Sequence, residues 1–397
     1  MRLSVLLALL PAVLAAPSKR NEPAALTMAA FDGIADQYIV RFKDGSALSA
    51  MDSAMGMLKD EPIAKYGALI QGFAAKMDAD TLDLIRNHPD VDFIEQDAMA
   101  RATVLPESMN QDPSGQEIVT QSGATWGIAR LSSKEPGAKD YKYDSSAGEG
   151  TCSYILDTGI DGSHADFDGR AKIVKNFTNS PDGDKHGHGT HCAGTVGSKT
   201  YGVAKKTQLF GIKVLGDNGS GSWSGIISGI EYVASDSKNQ KCPKGVMTNF
   251  SLGGPKQKSV DDAITALSKE GIFVAVAAGN DNKDAANYSP AGADDICTVG
   301  STDSSDGKSS FSNWGSTLEI FAPGSGITST KSGGGSTQMS GTSMAAPHIA
   351  GLAAYFAAKD GGKGQELCKK IQSAALKDKI KDPRSGSPNL LAFNAVE

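Results

Sequence analysis

Residues 245–280 read GVMTNFSLGGPKQKSVDDAITALSKEGIFVAVAAGN. A short apolar run closed by paired glycines is followed by the amphipathic stretch "VDDAITALSKEG" and then by a second apolar run, "IFVAVAAGN". That is a strand, a helix and a strand, the unit that joins two parallel strands. The same alternation extends outward. "TCSYILDTG" (residues 151–159) and "QLFGIKVL" (208–215) read as apolar strands. "HGTHCAGTVG", "SGIISGIEYVAS" and "TSMAAPHIAGLAAYFAA" read as helices. Strands that are apolar throughout, alternating with helices, predict an α/β fold with a parallel sheet covered on both faces. Ligands of such sheets gather at the carboxyl ends of strands, where Asp157 and Asn280 fall.

The first third of the chain is built differently. "QYIVRFK" (37–43), "LIQGFAAKM" (69–77) and "VDFIEQDA" (91–98) read as strands. Between them, residues 47–58 and "DADTLDLIRNHPD" (78–90) read as helices, which predicts a small ferredoxin-like α+β unit over about residues 37–98. Residues 99–118 carry no periodicity over most of their length and are expected to be a cleavable linker, cut near 115–118. Ahead of the unit, residues 1–15 combine Arg2, an apolar run and small residues, the build of a secretory signal peptide. The domains expected are therefore a leader (1–15), a pro-region (16–118) and a main domain (119–397).

Residues 1–118 hold 10 Lys and Arg against 17 Asp and Glu, while residues 119–397 hold 29 against 28. An acidic front joined to a neutral body argues for two pieces, and neither has a basic run suited to nucleic acid. No later stretch is apolar and long enough to span a bilayer, so an exported product without a membrane anchor is expected.

Residues 184–194, "DKHGHGTHCAG", put His186, His188 and His191 close together in a chain with six histidines. A metal cluster is disfavoured, because Gly187 and Gly189 make a poor rigid cage and no His-Glu-x-x-His pattern is present. Acyl transfer fits better. A serine nucleophile needs a base, and the base needs an acid that fixes its tautomer. "SGTSMAAPH" (340–348) supplies Ser343 at a helix start, so that Asp157, His188 and Ser343 follow in that order. His186 is expected to be a solvated loop residue and His191 a helix residue near the site. Five cysteines, at 152, 192, 242, 297 and 368, leave one thiol over in an oxidising compartment, with several pairings open. Cys192, following the histidines at a helix start, is the one expected to stay free.

"DTGID", "GHGTHCAGTVGS", "SLGG", "AVAAGN" and "SGTSMAAPH" together resemble the subtilisin-like serine proteases, specifically their proteinase K branch and the fungal cuticle-degrading proteases within it. The resemblance runs from about Trp126 to Asn394, and residues 37–98 resemble the family's inhibitory propeptide. It implies Asp157 as orienting acid, His188 as base, Ser343 as nucleophile and Asn280 as oxyanion-hole donor. It implies a slot for a large apolar P1 side chain walled by Ser251, Leu252, Gly253 and Gly254. It also implies main-chain substrate bonds at Gly219, Ser220 and Gly221, with Trp223 beside the S4 pocket. Cys152 would pair with Cys242 and Cys297 with Cys368. Calcium would be held by carbonyls of Asp294 and Ile296 and by Glu319, where the family has aspartate. A second calcium site would lack its acid, since Lys379 stands there. The function implied is a secreted, monomeric, broadly specific endopeptidase that acts on proteins and peptides and is folded and inhibited by its own propeptide. The alternative is an inactive peptide-binding scaffold of the same fold.

Overall fold

The computed structural model describes residues 22–107 and 118–396. The leader (1–15) and residues 115–117 of the expected cleavage stretch lie outside the described residues. The first unit runs β1 (Gly33–Phe42), α1 (Leu48–Met55), β2 (Ala64–Tyr66), β3 (Gly72–Lys76), α2 (Ala79–Arg86) and β4 (Val91–Ala102). Its strands pair antiparallel in the order β4-β1-β3-β2, the ferredoxin-like arrangement. Helix α2 starts where the Asp78 side chain accepts from Thr81 N at 2.9 Å, an N-cap. Its Leu82 and Ile85 turn inward onto Phe42, Phe73 and Val91.

Strand β4 does not end at residue 98. Its last residues leave their own sheet and continue as a strand, because they find partners in the second unit, and β5 (Leu105–Glu107) follows.

The body opens with the antiparallel pair β6 (Ile118–Ser122) and β7 (Asp140–Asp144). It continues with β8 (Cys152–Asp157), β9 (Ala171–Asn176), α3 (His188–Gly197), β10 (Gln208–Lys213), β11 (Ser220–Ser222) and α4 (Trp223–Asp236). Then come β12 (Val246–Phe250), β13 (Leu252–Pro255), α5 (Lys258–Lys269), β14 (Phe273–Ala277), β15 (Cys297–Thr302) and β16 (Ile320–Pro323). The chain closes with β17 (Ile327–Thr330), β18 (Ser336–Ser340), α6 (Thr342–Asp360) and α7 (Gln365–Ala374). Among the described residues the main sheet has nine strands; its parallel run is β9-β10-β8-β12-β14-β15-β16, extended past β16 by the short pieces Leu390–Leu391, parallel, and Leu376–Lys377, antiparallel. The strand order reverses between β8 and β12, so their carboxyl ends frame a crevice.

Helices cover both faces. In α5, Val260, Ala263, Ile264 and Leu267 recur at the spacing of one helical face and are buried. Helix α6 is apolar all round and is buried from Thr342 to Ala358, as such a helix must be. One core joins α3, α6 and α7 through Cys192, Val196, Met344, Leu352 and Ile371. The other joins α4 and α5 through Ile226, Ile230, Val260 and Ile264, and it also takes in Ile39, Tyr66 and Ala98 of the first unit. The pro-region is thus packed onto the α4–α5 face. Disulfides link Cys152 to Cys242 and Cys297 to Cys368, and Cys192 is free and buried. Among the described residues no helix is long and apolar enough to cross a membrane.

Candidate active site

Asp157 is the last residue of β8, and His188 is the first of α3. Gly187 precedes the helix with φ of 90°, a conformation that glycine adopts without strain. The Asp184 carboxylate ties this helix start down, accepting from Gly187 N and Thr190 N at 2.8 Å each and from Thr158 Oγ1 at 2.8 Å. Gly189 allows close approach, since a Cβ there would meet Gly159 O at 2.1 Å and the Asp157 side chain at 3.1 Å. As a result His188 Nδ1 lies 2.7 Å from Asp157 Oδ1, with both residues fully buried. Thr158 N donates to the same oxygen at 2.7 Å. A carboxylate at Nδ1 places the ring proton there and leaves Nε2 free to accept. Burial opposes charge on this ring, but the Asp157 carboxylate prevails and holds His188 well above the usual imidazole range.

The other two histidines of the cluster do not converge with it on a metal. His191 donates from Nε2 to Ile327 O at 2.9 Å, and burial pushes its pKa down to about 3. His186 is half-buried rather than solvated: its ring packs 6.1 Å from that of His188, and its Nδ1 has no partner among the described residues. Among the described residues, the donor atoms that do gather are those of Asp157, His188 and Cys192. Burial pushes the Cys192 thiol up, so it remains S–H and donates to Ser343 O at 3.4 Å.

Ser343 is the second residue of α6. Pro347, four residues on, has no N–H to return to the Ser343 carbonyl. That oxygen is instead satisfied by Cys192 and by Ser251 Oγ, at 2.8 Å. The Ser343 hydroxyl donates to Ser251 O at 2.8 Å and accepts from Thr103 N at 3.2 Å, and it also bonds the Thr103 hydroxyl. Among the described residues its hydrogen bonds therefore go to Ser251 and Thr103 while the pro-region is seated. His188 Nε2 lies 3.9 Å from Cys192 Sγ, the sulfur that meets Ser343 O.

Asn280 Oδ1 accepts from Thr342 N at 2.9 Å and Thr342 Oγ1 at 2.8 Å. A backbone N–H can only meet the oxygen of the amide, which fixes the other end, Nδ2, toward Gly341. A Cβ at Gly341 would meet Thr103 O at 2.3 Å and Asn280 Nδ2 at 3.1 Å, so a carbonyl and a donor already converge there. With Asn280 Nδ2 in the role of oxyanion donor that the resemblance implies, Asn280→Ala is expected to lower kcat by about 10²–10³-fold with little change in KM, since such a donor acts on charge present only in the transition state. Steady-state kinetics on a peptide substrate checks it.

Of the residues expected to wall the P1 slot, Gly253 and Gly254 line a cavity beside Thr103, whereas Ser251 and Leu252 are fully buried beneath it. Met99, Ala100 and Arg101 pair antiparallel with Ser222, Gly221 and Ser220, while Arg101 and Ala102 pair with Gly253 and Leu252. Ala102 N donates to Gly219 O at 3.0 Å. Beside Thr103 a cavity of about 500 Å³ opens between Gly253, Gly254, Ala277, Ala278 and Gly279. Trp223 is fully buried at the head of α4, in the same core as Ala100, and its ring bounds the space over Gly254.

Three acidic residues dock the pro-region, and none of them is assigned a role by the sequence alone. Glu95 accepts from Lys258 N and Ser259 N at 2.8 Å each, capping α5, and Asp97 accepts from Ser224 N at 3.2 Å at the start of α4. Carboxylates at helix N-termini meet unsatisfied N–H groups and the favourable end of the dipole. In return, Glu231 of α4 accepts from four successive backbone amides, Gly67 to Ile70, at 2.6–3.1 Å.

The place expected to hold calcium already has protein donors. Asp294 O accepts from Thr265 Oγ1 at 2.9 Å, Ile296 O from Gln365 Nε2 at 3.3 Å, and the Glu319 carboxylate from Gln372 Nε2. Burial also pushes the Glu319 carboxyl up, toward its neutral form. Arranged in this way, with a protein donor already on each expected ligand oxygen, the residues do not fit a calcium ion, which takes about six to eight open oxygens. At the second place, Lys379 Nζ pairs with Glu135 at 2.7 Å.

Residues 148–387 match the model of the subtilase family, and residues 37–103 match that of peptidase inhibitor I9. The chain is 51% identical to a cuticle-degrading protease of Metarhizium anisopliae over 100% of both chains. It is 49% identical to proteinase R of Parengyodontium album over 99% of both. A solved cold-adapted subtilisin-like serine proteinase aligns with a TM-score of 0.66 at 40% identity, covering 70% of this chain and all of that one. A parallel sheet whose switch point gathers an acid, a histidine and a helix-borne serine, closed by an inhibitor-type unit, leaves one conclusion: the chain belongs to the subtilase family, as a serine endopeptidase joined to its I9 propeptide.

Proposed function

We propose that Ser343, His188, Asp157 and Asn280 carry peptide hydrolysis through an acyl-enzyme, in an exported monomer released from its pro-region. His188 Nε2 takes the Ser343 proton as Oγ attacks the scissile carbonyl, and Asp157 stabilises the imidazolium. Asn280 Nδ2 and Ser343 N hold the oxyanion. The observation that carries this reading is the placement of Thr103, whose N–H meets Ser343 Oγ while its carbonyl oxygen lies over Gly341, near Asn280 Nδ2. Main-chain pairing on β11 and β13 supports broad specificity, and the small residues around the cavity favour a large apolar P1 side chain. The test is intact mass and peptide mapping after a sulfonyl fluoride. One adduct on Ser343 of the released body is expected, whereas an unlabelled released body would mark a binding scaffold.

Calcium is left out of the mechanism. Millimolar calcium or a chelator is expected to shift Tm by less than about 2 °C. An ion bound at 100 times its Kd would add about 2.7 kcal/mol and raise Tm by about 5–10 °C. Calorimetry distinguishes the two.

A further inference from the structure

We propose that the precursor first cuts itself at the bond between Thr103 and Val104, and that residues 104–118 are removed by a separate, later cut. The proposal rests on the serine-peptidase reading above and names the bond on which that site first acts. It moves the first cut away from residues 115–118.

The chain crosses the nucleophile without a break. On the acyl side, residues 99–102 are held by β11 and β13, and Ala102 N is bonded to Gly219 O at 3.0 Å. Thr103 comes next, with its N–H and hydroxyl on Ser343 Oγ and its carbonyl oxygen over Gly341, beside Asn280 Nδ2. On the leaving side, Leu105, Pro106 and Glu107 pair antiparallel with Ser340, Met339 and Gln338 of β18. Val104, between the two ladders, packs against the core that holds Ile327 and Met344. Two ladders on opposite sides of one serine leave a single peptide bond in register for attack. The inhibitor-type stretch ends at the same residue, Thr103.

The body's first strand makes the alternative harder. Ile118–Ser122 is paired along its whole length with Asp140–Asp144. A bond at 118 would have to leave this ladder and displace residues 99–107 before it could lie on β11 and β13. The bond at 103 needs neither movement.

Ser343 Oγ, turned to His188, adds to the Thr103 carbonyl carbon as His188 Nε2 takes its proton. The bond from Thr103 carbon to Val104 nitrogen then breaks, and His188 returns the proton to the new Val104 amine. Water, deprotonated by His188, opens the Thr103 ester and regenerates the serine. The products are a Thr103 carboxylate on the pro-region and a free amine at Val104. Thr103 leaves the adjacent cavity of about 500 Å³ unfilled, so the tail is held by its main chain rather than by its last side chain. Release of the tail then depends on the docking contacts of Glu95, Asp97 and Glu231.

The wild-type full chain is refolded, quenched at intervals and read by intact mass and N-terminal sequencing. The first pair expected is a pro-region ending at Thr103 and a body beginning at Val104, with a body beginning near Val119 appearing only later. A first body that already begins near 119, with 104–118 still on the pro-region, overturns the proposal. Val104→Pro is expected to slow the first cut at least about 100-fold, since the leaving nitrogen becomes part of a ring. An unchanged rate and cleavage point overturns the proposal as well. Thr103→Phe, which fills the cavity, serves where the proline variant does not fold, and is expected to speed the first cut about tenfold. No acceleration by Phe counts against Thr103 as the residue in that slot. If the first cut lies elsewhere while the released body is still labelled at Ser343, only this inference fails. If the chain is neither cut nor labelled, the peptidase reading fails with it.

Discussion

Ser343→Ala is expected to lower kcat by about 10⁶-fold and to leave the precursor as one chain when it is expressed alone. The first effect follows from the proposed role of Ser343 Oγ as the atom that forms the acyl bond. What remains, from main-chain binding and the Asn280 donor, is about 10³–10⁴-fold over water. The second follows because the pro-region is attached to the same site that would release it. Folding should survive. The serine hydroxyl is bonded only to Ser251 O and Thr103 among the described residues, so its removal costs about 1 kcal/mol. None of the docking contacts of Glu95, Asp97 or Glu231 involves it. The purified variant should therefore be a stable, uncut, inactive precursor, read directly by electrophoresis and by kinetics on a peptide substrate. Measurable turnover in that variant, beyond contaminating wild type, would remove Ser343 from the nucleophile's place.

The body was legible because its signals are local. Apolar strands and amphipathic helices announce themselves over ten residues, as 245–280 do, and the order Asp157, His188, Ser343 is a spacing in one chain. Contacts made across the two units were less legible. Residues 99–102 look like a linker because their pairing partners, Ser220–Ser222 and Leu252–Gly253, lie more than a hundred residues away, and a register set by remote strands leaves no period in the sequence. Glu231 serves four backbone amides, and backbone amides have no residue code. At Glu319 the resemblance suggested an ion, but the side chain that answers the carboxylate is Gln372, brought in by α7. From its place in the sequence His186 is expected to be a solvated loop residue. It is half-buried because the substrate edge packs on it: a Cβ at Gly219 would touch its Nε2 at 2.7 Å.

Asp157→Asn is expected to lower kcat by about 10⁴-fold and to move the acid limb of the activity profile to lower pH. In the wild type, burial works against the imidazolium, but the carboxylate 2.7 Å from Nδ1 outweighs it and holds the His188 pKa well above its ordinary value. A protonated His188 cannot accept the serine proton. Hydrolysis should therefore be weak at acid pH and rise toward alkaline pH as the ring loses its proton. Leaving of the pro-region lets water reach the ring and relieves part of the burial, which pushes in the same direction as the carboxylate. The asparagine amide is neutral, so the ring's pKa falls, the limb moves down, and the base becomes available at lower pH. The rate still drops, because the amide can turn its N–H toward Nδ1 and select the tautomer whose Nε2 carries the proton. The profile of kcat/KM against pH for the released body, wild type and variant, separates these effects. A lower plateau with an unmoved limb would mean that another group sets the pKa of His188. A moved limb with an unchanged plateau would mean that Asp157 tunes the base without orienting it.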